Sequence, residues 1–121
     1  MIRLSQREFA RLVRQAYRQL PLNVRHRLEN VNISVEDWPN AVEFDLRDDS
    51  TLFGLYTGVP LTEREGAGPG LPDQIIIFRR PILENCATPE EVVREIEVTL
   101  CHEVGHYLGL DEDALHRLGY G

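Results

Sequence analysis

Lysine is absent from the 121 residues, and all 13 cations are arginine. This usage reads as genome composition, because the charge signature of hyperthermophilic proteins enriches lysine along with glutamate. Cysteine is scarce too, with two residues, too few for a disulfide-stapled scaffold. A chain of this length buries a core without staples. No run of eighteen apolar residues occurs, which argues against a membrane-spanning helix. The start, Met1-Ile2-Arg3-Leu4-Ser5-Gln6-Arg7, has neither an apolar middle nor a small-residue cleavage site, so the expectation is a cytoplasmic, unprocessed protein. Repeats and low-complexity tracts are missing as well. What remains, 42% apolar and 27% charged residues, is the balance of one globular domain over residues 1–121.

The net charge of −7 is unevenly spread, with +6 over residues 1–28 and −13 over the rest. Arg3, Arg7, Arg11, Arg14 and Arg18 step by four, four, three and four, which places them on one face of a helix. Phe9, Leu12, Val13, Ala16, Tyr17 and Leu20 supply its apolar face. A solvated stripe beside the chain's own acids needs no nucleic acid to explain it. The two cysteines are expected to be free thiols. A helix starting near Pro89 carries Cys101 about 18 Å along its axis, and three residues of return from Cys86 recover at most about 10 Å.

The first helix is predicted over residues 5–20, ended by Leu20-Pro21, with a short second helix through Arg27. Val31, Ile33 and Val35 alternate with polar residues as in a half-buried strand. A second strand is predicted over Ala41 to Leu46, and a third over Thr51 to Thr57, interrupted by Gly54 and closed by Gly58. Residues 59–73 hold three prolines and three glycines and read as a loop, long enough to serve as a flap. A strongly apolar strand follows from Gln74 to Arg80, ended by Pro81. Thr88-Pro89-Glu90-Glu91 then begins a helix with a capping threonine and proline at its first position. Its stripe is Val92, Val93, Ile96, Leu100, Val104 and Leu108, and Gly109 is its left-handed stop. A last short helix is predicted from about Asp111 to Leu118.

Inside the long helix lies His102-Glu103-Val104-Gly105-His106, the HExxH pattern. Histidines four apart share one helix face and converge on one metal ion, while the glutamate reaches water in the open coordination position. Zinc lowers the pKa of such water towards neutrality, and Glu103 takes its proton during attack on a carbonyl. A third protein ligand has to come from the fifteen residues after His106. Glu112, ten residues after His102, occupies the third-ligand position of HExxHxxGxxH, and its rivals are Asp113, Asp111, His116 and a site with no third protein ligand. Either aspartate serves equally as the cap of the final helix, and His116 reads more simply as a surface residue. His26 reads as solvated, and Tyr56, Tyr107 and Tyr120 as packing residues able to reach an oxyanion.

These residues resemble the small bacterial zincin-like metallopeptidases, often described as minimal zincins. The resemblance runs through Ser5 to Phe9, Val35-Glu36-Asp37-Trp38-Pro39, Leu52 to Thr62, Pro72-Asp73-Gln74-Ile75, Phe78 to Ile82 and Thr99 to Glu112. It implies an α+β fold, with N-terminal helices and a small mixed sheet packed on the long C-terminal HExxH helix. It also implies zinc peptidase activity on a peptide or protein substrate. Members commonly carry aspartate where this chain has Glu112. Two other readings use the same ligands. Metal-dependent endoribonucleases of ribosomal RNA maturation share the spacing HxxxHxxGxxH, but resemble this chain without its glutamate, having glycine after the first histidine. A non-catalytic metal-binding module would keep the site for stability.

Overall fold

A computed structural model describes residues 2–46, 53–58 and 73–117, with side chains omitted at 44–46, 112, 115 and 116. In chain order the elements are α1 (Gln6–Arg18), α2 (Leu22–Arg27), β1 (Val31–Glu36), α3 (Ala41–Leu46), β2 (Gly54–Thr57), β3 (Asp73–Phe78), α4 (Arg79–Glu84), α5 (Pro89–Tyr107) and α6 (Glu112–Arg117). No described helix is long and apolar enough to cross a membrane. The predicted loop 59–73 lies outside the described residues, except that Asp73 opens β3.

Ser5 begins α1 through a reciprocal capping box. Its hydroxyl accepts from the Glu8 amide at 3.1 Å, and its own amide donates to the Glu8 carboxylate at 3.0 Å. Phe9, Val13 and Ala16 are then buried, while the arginines face outward. The sheet has the order β1-β3-β2. Val31 to Glu36 pair in parallel with Asp73 to Phe78, and Gly54 to Thr57 pair antiparallel with Ile77 to Gln74. The central strand is therefore the most apolar one, and Ile75, Ile76, Ile77 and Phe78 are all buried.

The core forms where α1 and α5 cover one face of this sheet. Phe9 and Val13 meet Ile75 and Ile77, Ile82 and Leu83 of α4, and Val92, Ile96, Leu100 and Val104 of α5. This is the expected stripe of the long helix with one exception: Val93 is exposed. Leu55, Ile76 and Phe78 make a smaller cluster of their own. Cys86 is buried, Cys101 is half-buried, and both are free thiols, as the helix geometry required.

Two predicted strands are corrected. Residues 41–46 are helix α3, not a strand, because Asn40 and Glu43 form a second capping box that outweighs the alternation of Val42, Phe44 and Leu46. The Glu43 amide donates to Asn40 Oδ1 at 2.8 Å, and the Asn40 amide to Glu43 Oε1 at 2.9 Å. The strand placed at Gln74 to Arg80 stops at Phe78, and Arg79 and Arg80 already belong to α4. Pro81 sits in the first turn of that helix, where its missing N–H removes no helical hydrogen bond. The turn from strand to helix is anchored by Arg79, whose Nε donates to Asp37 Oδ1 at 2.8 Å and whose Nη1 donates to the Leu4 carbonyl. The Arg80 amide donates to the Asp37 carbonyl at 3.1 Å.

Two outcomes follow from these anchors. Thr88 caps α5 by accepting from the Glu91 amide at 3.1 Å, so Thr88→Ala lowers stability by about 1 kcal/mol and Thr88→Ser is close to neutral, as read from denaturant midpoints. The Arg79 guanidinium holds the Asp37 carboxyl below its ordinary value of 3.8. A carboxyl depressed in the folded state stabilises fully above that value, and the contribution is lost as pH falls through the folded-state value. Arg79→Met therefore flattens the decline of thermal midpoint below about pH 4, against wild type measured in the same buffers.

Candidate metal centre

Helix α5 presents three parallel rows to its surroundings, because residues four apart stack on one face. Ile96, Leu100 and Val104 enter the core. Thr99, Glu103 and Tyr107 form the next row, and this row runs over β2. A Cβ placed on Gly54 would lie 2.6 Å from Thr99 Cγ2, 3.3 Å from Glu103 Cγ and 3.2 Å from the Ile76 carbonyl oxygen. Two residues further along β2, the Tyr56 ring meets the Tyr107 ring edge-on, with centroids 5.7 Å apart and planes at 67°. The bare backbone of Gly54 is what lets the helix come this close, and with it the carboxylate.

His102 and His106 occupy a third row, beside that of Glu103. Their Nε2 atoms lie 3.0 Å apart and their rings 4.7 Å apart, crossed at 68°. With a Glu103 oxygen, the three ligand atoms fall within 4.8 Å of one another. His102 and Glu103 are buried and His106 is half-buried, so the cluster opens to solvent on the His106 side. The donor set suits a first-row divalent ion of the zinc type. Two imidazole nitrogens at about 2.0–2.1 Å on a tetrahedral ion stand about 3.3 Å apart, close to the separation found here. Burying imidazole and carboxylate donors together at the base of a helix is costly unless charge partners complete the site.

Cys101 is next to His102 in sequence but takes no part in this cluster. Burial, then the nearby Glu97 charge, raises its thiol above the ordinary range and keeps it protonated. Glu95, two turns before Glu103, is also raised, chiefly by burial, against a hydrogen bond from Thr99 and the Arg94 charge.

The end of α5 turns the chain back beneath the histidines. Gly109, at φ 82°, donates to the His106 carbonyl at 3.0 Å, and Leu110 donates to the Gly105 carbonyl at 2.9 Å. This paired pattern is a Schellman stop, which needs the left-handed residue that glycine supplies. Asp111 then caps α6, accepting from the Ala114 amide at 2.8 Å. Asp111 and Asp113 are both exposed, and neither joins the donor cluster. Glu112 is the first residue of α6, and His116 lies one turn later. Their side chains are outside the described residues. His26 is exposed, with Nδ1 3.4 Å from Glu29 Oε1.

Residues that periodicity alone could not find are Thr99 and Asp73. The Tyr56 hydroxyl donates to Asp73 Oδ1 at 2.9 Å, across 17 positions of sequence, and Asp73 is buried. A glycine inside a strand is the one local signal of the close approach to Thr99. Gly54→Ala is expected to lower stability by about 1–3 kcal/mol, because the added methyl overpacks against Thr99 and backbone at once. In the double variant with Thr99→Ser, which removes the clashing methyl, about half of that loss returns, as urea midpoints will show.

The family described as zincin-like metallopeptidase matches residues 28–121. No curated protein matches the chain significantly. Among solved structures, a conserved hypothetical protein from T. thermophilus is similar in fold. Its TM-score is 0.58 at 21% identity, over 87% of this chain and 94% of that one. With an α+β architecture, a mixed three-stranded sheet and the donor cluster on α5, the chain belongs to the zincin-like metallopeptidase family.

Proposed function

We propose that the protein is a zinc-dependent peptidase. The observation that carries this reading is the buried Glu103 carboxylate beside the paired histidine nitrogens, all within 4.8 Å. His102, His106 and Glu112 would hold the ion, with Glu112 supplied by the turn at Gly109. Asp111 is the weaker third ligand, because its carboxylate already caps α6. When bound, zinc supplies Lewis acidity that polarises a carbonyl and acidifies water.

The chain's own residues account for the rest of the reaction. Glu103 accepts the proton of the attacking water and delivers it to the departing amine, so that one carboxylate serves as base and then as acid. Its burial against β2 withholds bulk water from that proton transfer. The half-buried His106 side is where a substrate carbonyl enters. Strand β2 is at the end of the sheet, and among the described residues no strand pairs with its outer edge. An extended peptide would align there by strand addition, next to the Thr99-Glu103-Tyr107 row. The substrate is accordingly a peptide or protein segment, and the same glutamate is what separates this reading from the ribonuclease one.

Metal content and cleavage, measured together, test the proposal. Wild type and Glu103→Gln are expected to carry near-stoichiometric zinc, and His106→Ala to bind it at least about tenfold more weakly. Only wild type should cleave a peptide library, with Glu103→Gln slower by about 10²–10⁴. Zinc binding without cleavage, or cleavage of a structured RNA in its place, would overturn the peptidase assignment.

A further inference from the structure

Among the described residues the sheet has a second open edge, on β1, and it lies at the opposite end of the order β1-β3-β2 from the strand that borders the metal centre. Backbone N–H and C=O groups of one strand residue point to the same side, and the side alternates along the strand. The Val31 amide donates away from the sheet to the Leu28 carbonyl at 3.0 Å, and the Val35 carbonyl accepts from Gln6 Nε2 at 3.4 Å. Ile33, midway between them, therefore also turns its N–H and C=O outward, and no described residue bonds either. Edge groups of this kind are what a further strand pairs with.

That edge looks into a groove of about 960 Å³ between α1, α2 and β1, at the upper end of the range of ligand clefts. Its floor is apolar, from Val13, Leu28, Val31 and Ile33. Its walls are cationic: Arg7, Arg14 and Arg18 of the α1 stripe and Arg25 of α2 all line it. The Arg25 Nε is buried and makes no hydrogen bond among the described residues, a donor that asks for an acceptor. Glu29 is the acid in the lining, and it lies beside His26.

We propose that this groove binds an extended acidic peptide segment, which adds to β1 as a strand and sets its carboxylates against Arg7, Arg14, Arg18 and Arg25. An open strand edge over an apolar floor selects an extended polypeptide, whose alternate side chains point down and out. Four arginines against one acid select carboxylates for the outward positions. Single-stranded nucleic acid would meet the charge but, among the described residues, finds Tyr17 as the sole aromatic platform in the groove. The site shares no residue with the metal centre and does not depend on the peptidase reading.

The probe is a fluorescein-labelled, N-acetylated octapeptide of alternating glutamate and valine, titrated by anisotropy into the full chain carrying Glu103→Gln so that hydrolysis cannot consume it. Binding is expected to weaken at least about tenfold in the R14E/R18E double variant, and to stay within about twofold in R11E. Arg11 is on the same helix, is equally exposed and does not line the groove. A glutamate-proline octapeptide of the same charge loses the N–H of every second residue and is held near φ −65°, away from strand geometry, so it should bind at least about tenfold more weakly. Amide exchange at Ile33 should slow when the valine peptide is bound. Equal weakening in R11E, equal binding of the proline peptide, or unchanged exchange at Ile33 would each overturn the proposal. So would binding of an oligouridylate by a chain that ignores the valine peptide.

Discussion

The arrangement of this protein depends on how closely α5 approaches the sheet. The helix must bury Ile96, Leu100 and Val104 against β3 and α1, and that burial fixes its rotation about its own axis. Once the rotation is fixed, Thr99, Glu103 and Tyr107 necessarily face β2, and the histidines fall on the adjoining row. The distance is set by Gly54, where a methyl group would collide with Thr99 and crowd Glu103. Hydrophobic packing and one missing side chain thus place a carboxylate that neither placed for its own sake. Burial of Glu103 and His102 is the cost of that geometry.

The two ends of the sheet carry different chemistry because different segments cover them. β2 meets the acidic half of the chain through α5, which carries the histidine and glutamate donor cluster. β1 meets the arginine-rich N-terminal helices, with Arg7, Arg14 and Arg18 along its groove. The arginines of the +6 N-terminal segment are thus gathered beside the β1 edge. The strand order β1-β3-β2 brings this about, since the chain passes from β1 to the far edge as β2 and returns to fill the centre as β3 before α5 follows.

Many local signals that close within five residues are legible in the sequence. The caps at Ser5 and Thr88, the stop at Gly109 and the pairing of His102 with His106 all depend on neighbours in sequence. The same kind of signal stands at Asn40, where a capping box hidden behind apparent alternation at 41–46 makes a helical turn of it. The boundary after Phe78 escapes a sequence reading for another reason. Arg79 is drawn into helix by Asp37 and by the Leu4 carbonyl, contacts 42 and 75 residues away that no window of sequence contains.

What the amino-acid order alone determined is therefore the convergent histidine pair and its helix. Imidazoles at positions i and i+4 converge by the pitch of the α-helix, whatever the rest of the chain does. It also determined most of the separate helices and strands, through apolar runs with periods of two and of three to four, while the α+β class followed from the resemblance to the zincin-like family. Tertiary structure alone decided that Glu103 is buried beside β2, that Tyr56 reaches Asp73, and that three of the arginines of α1 border an open strand edge. Each of these joins segments whose separation is set by sheet order, and sheet order follows from which apolar faces can be buried together.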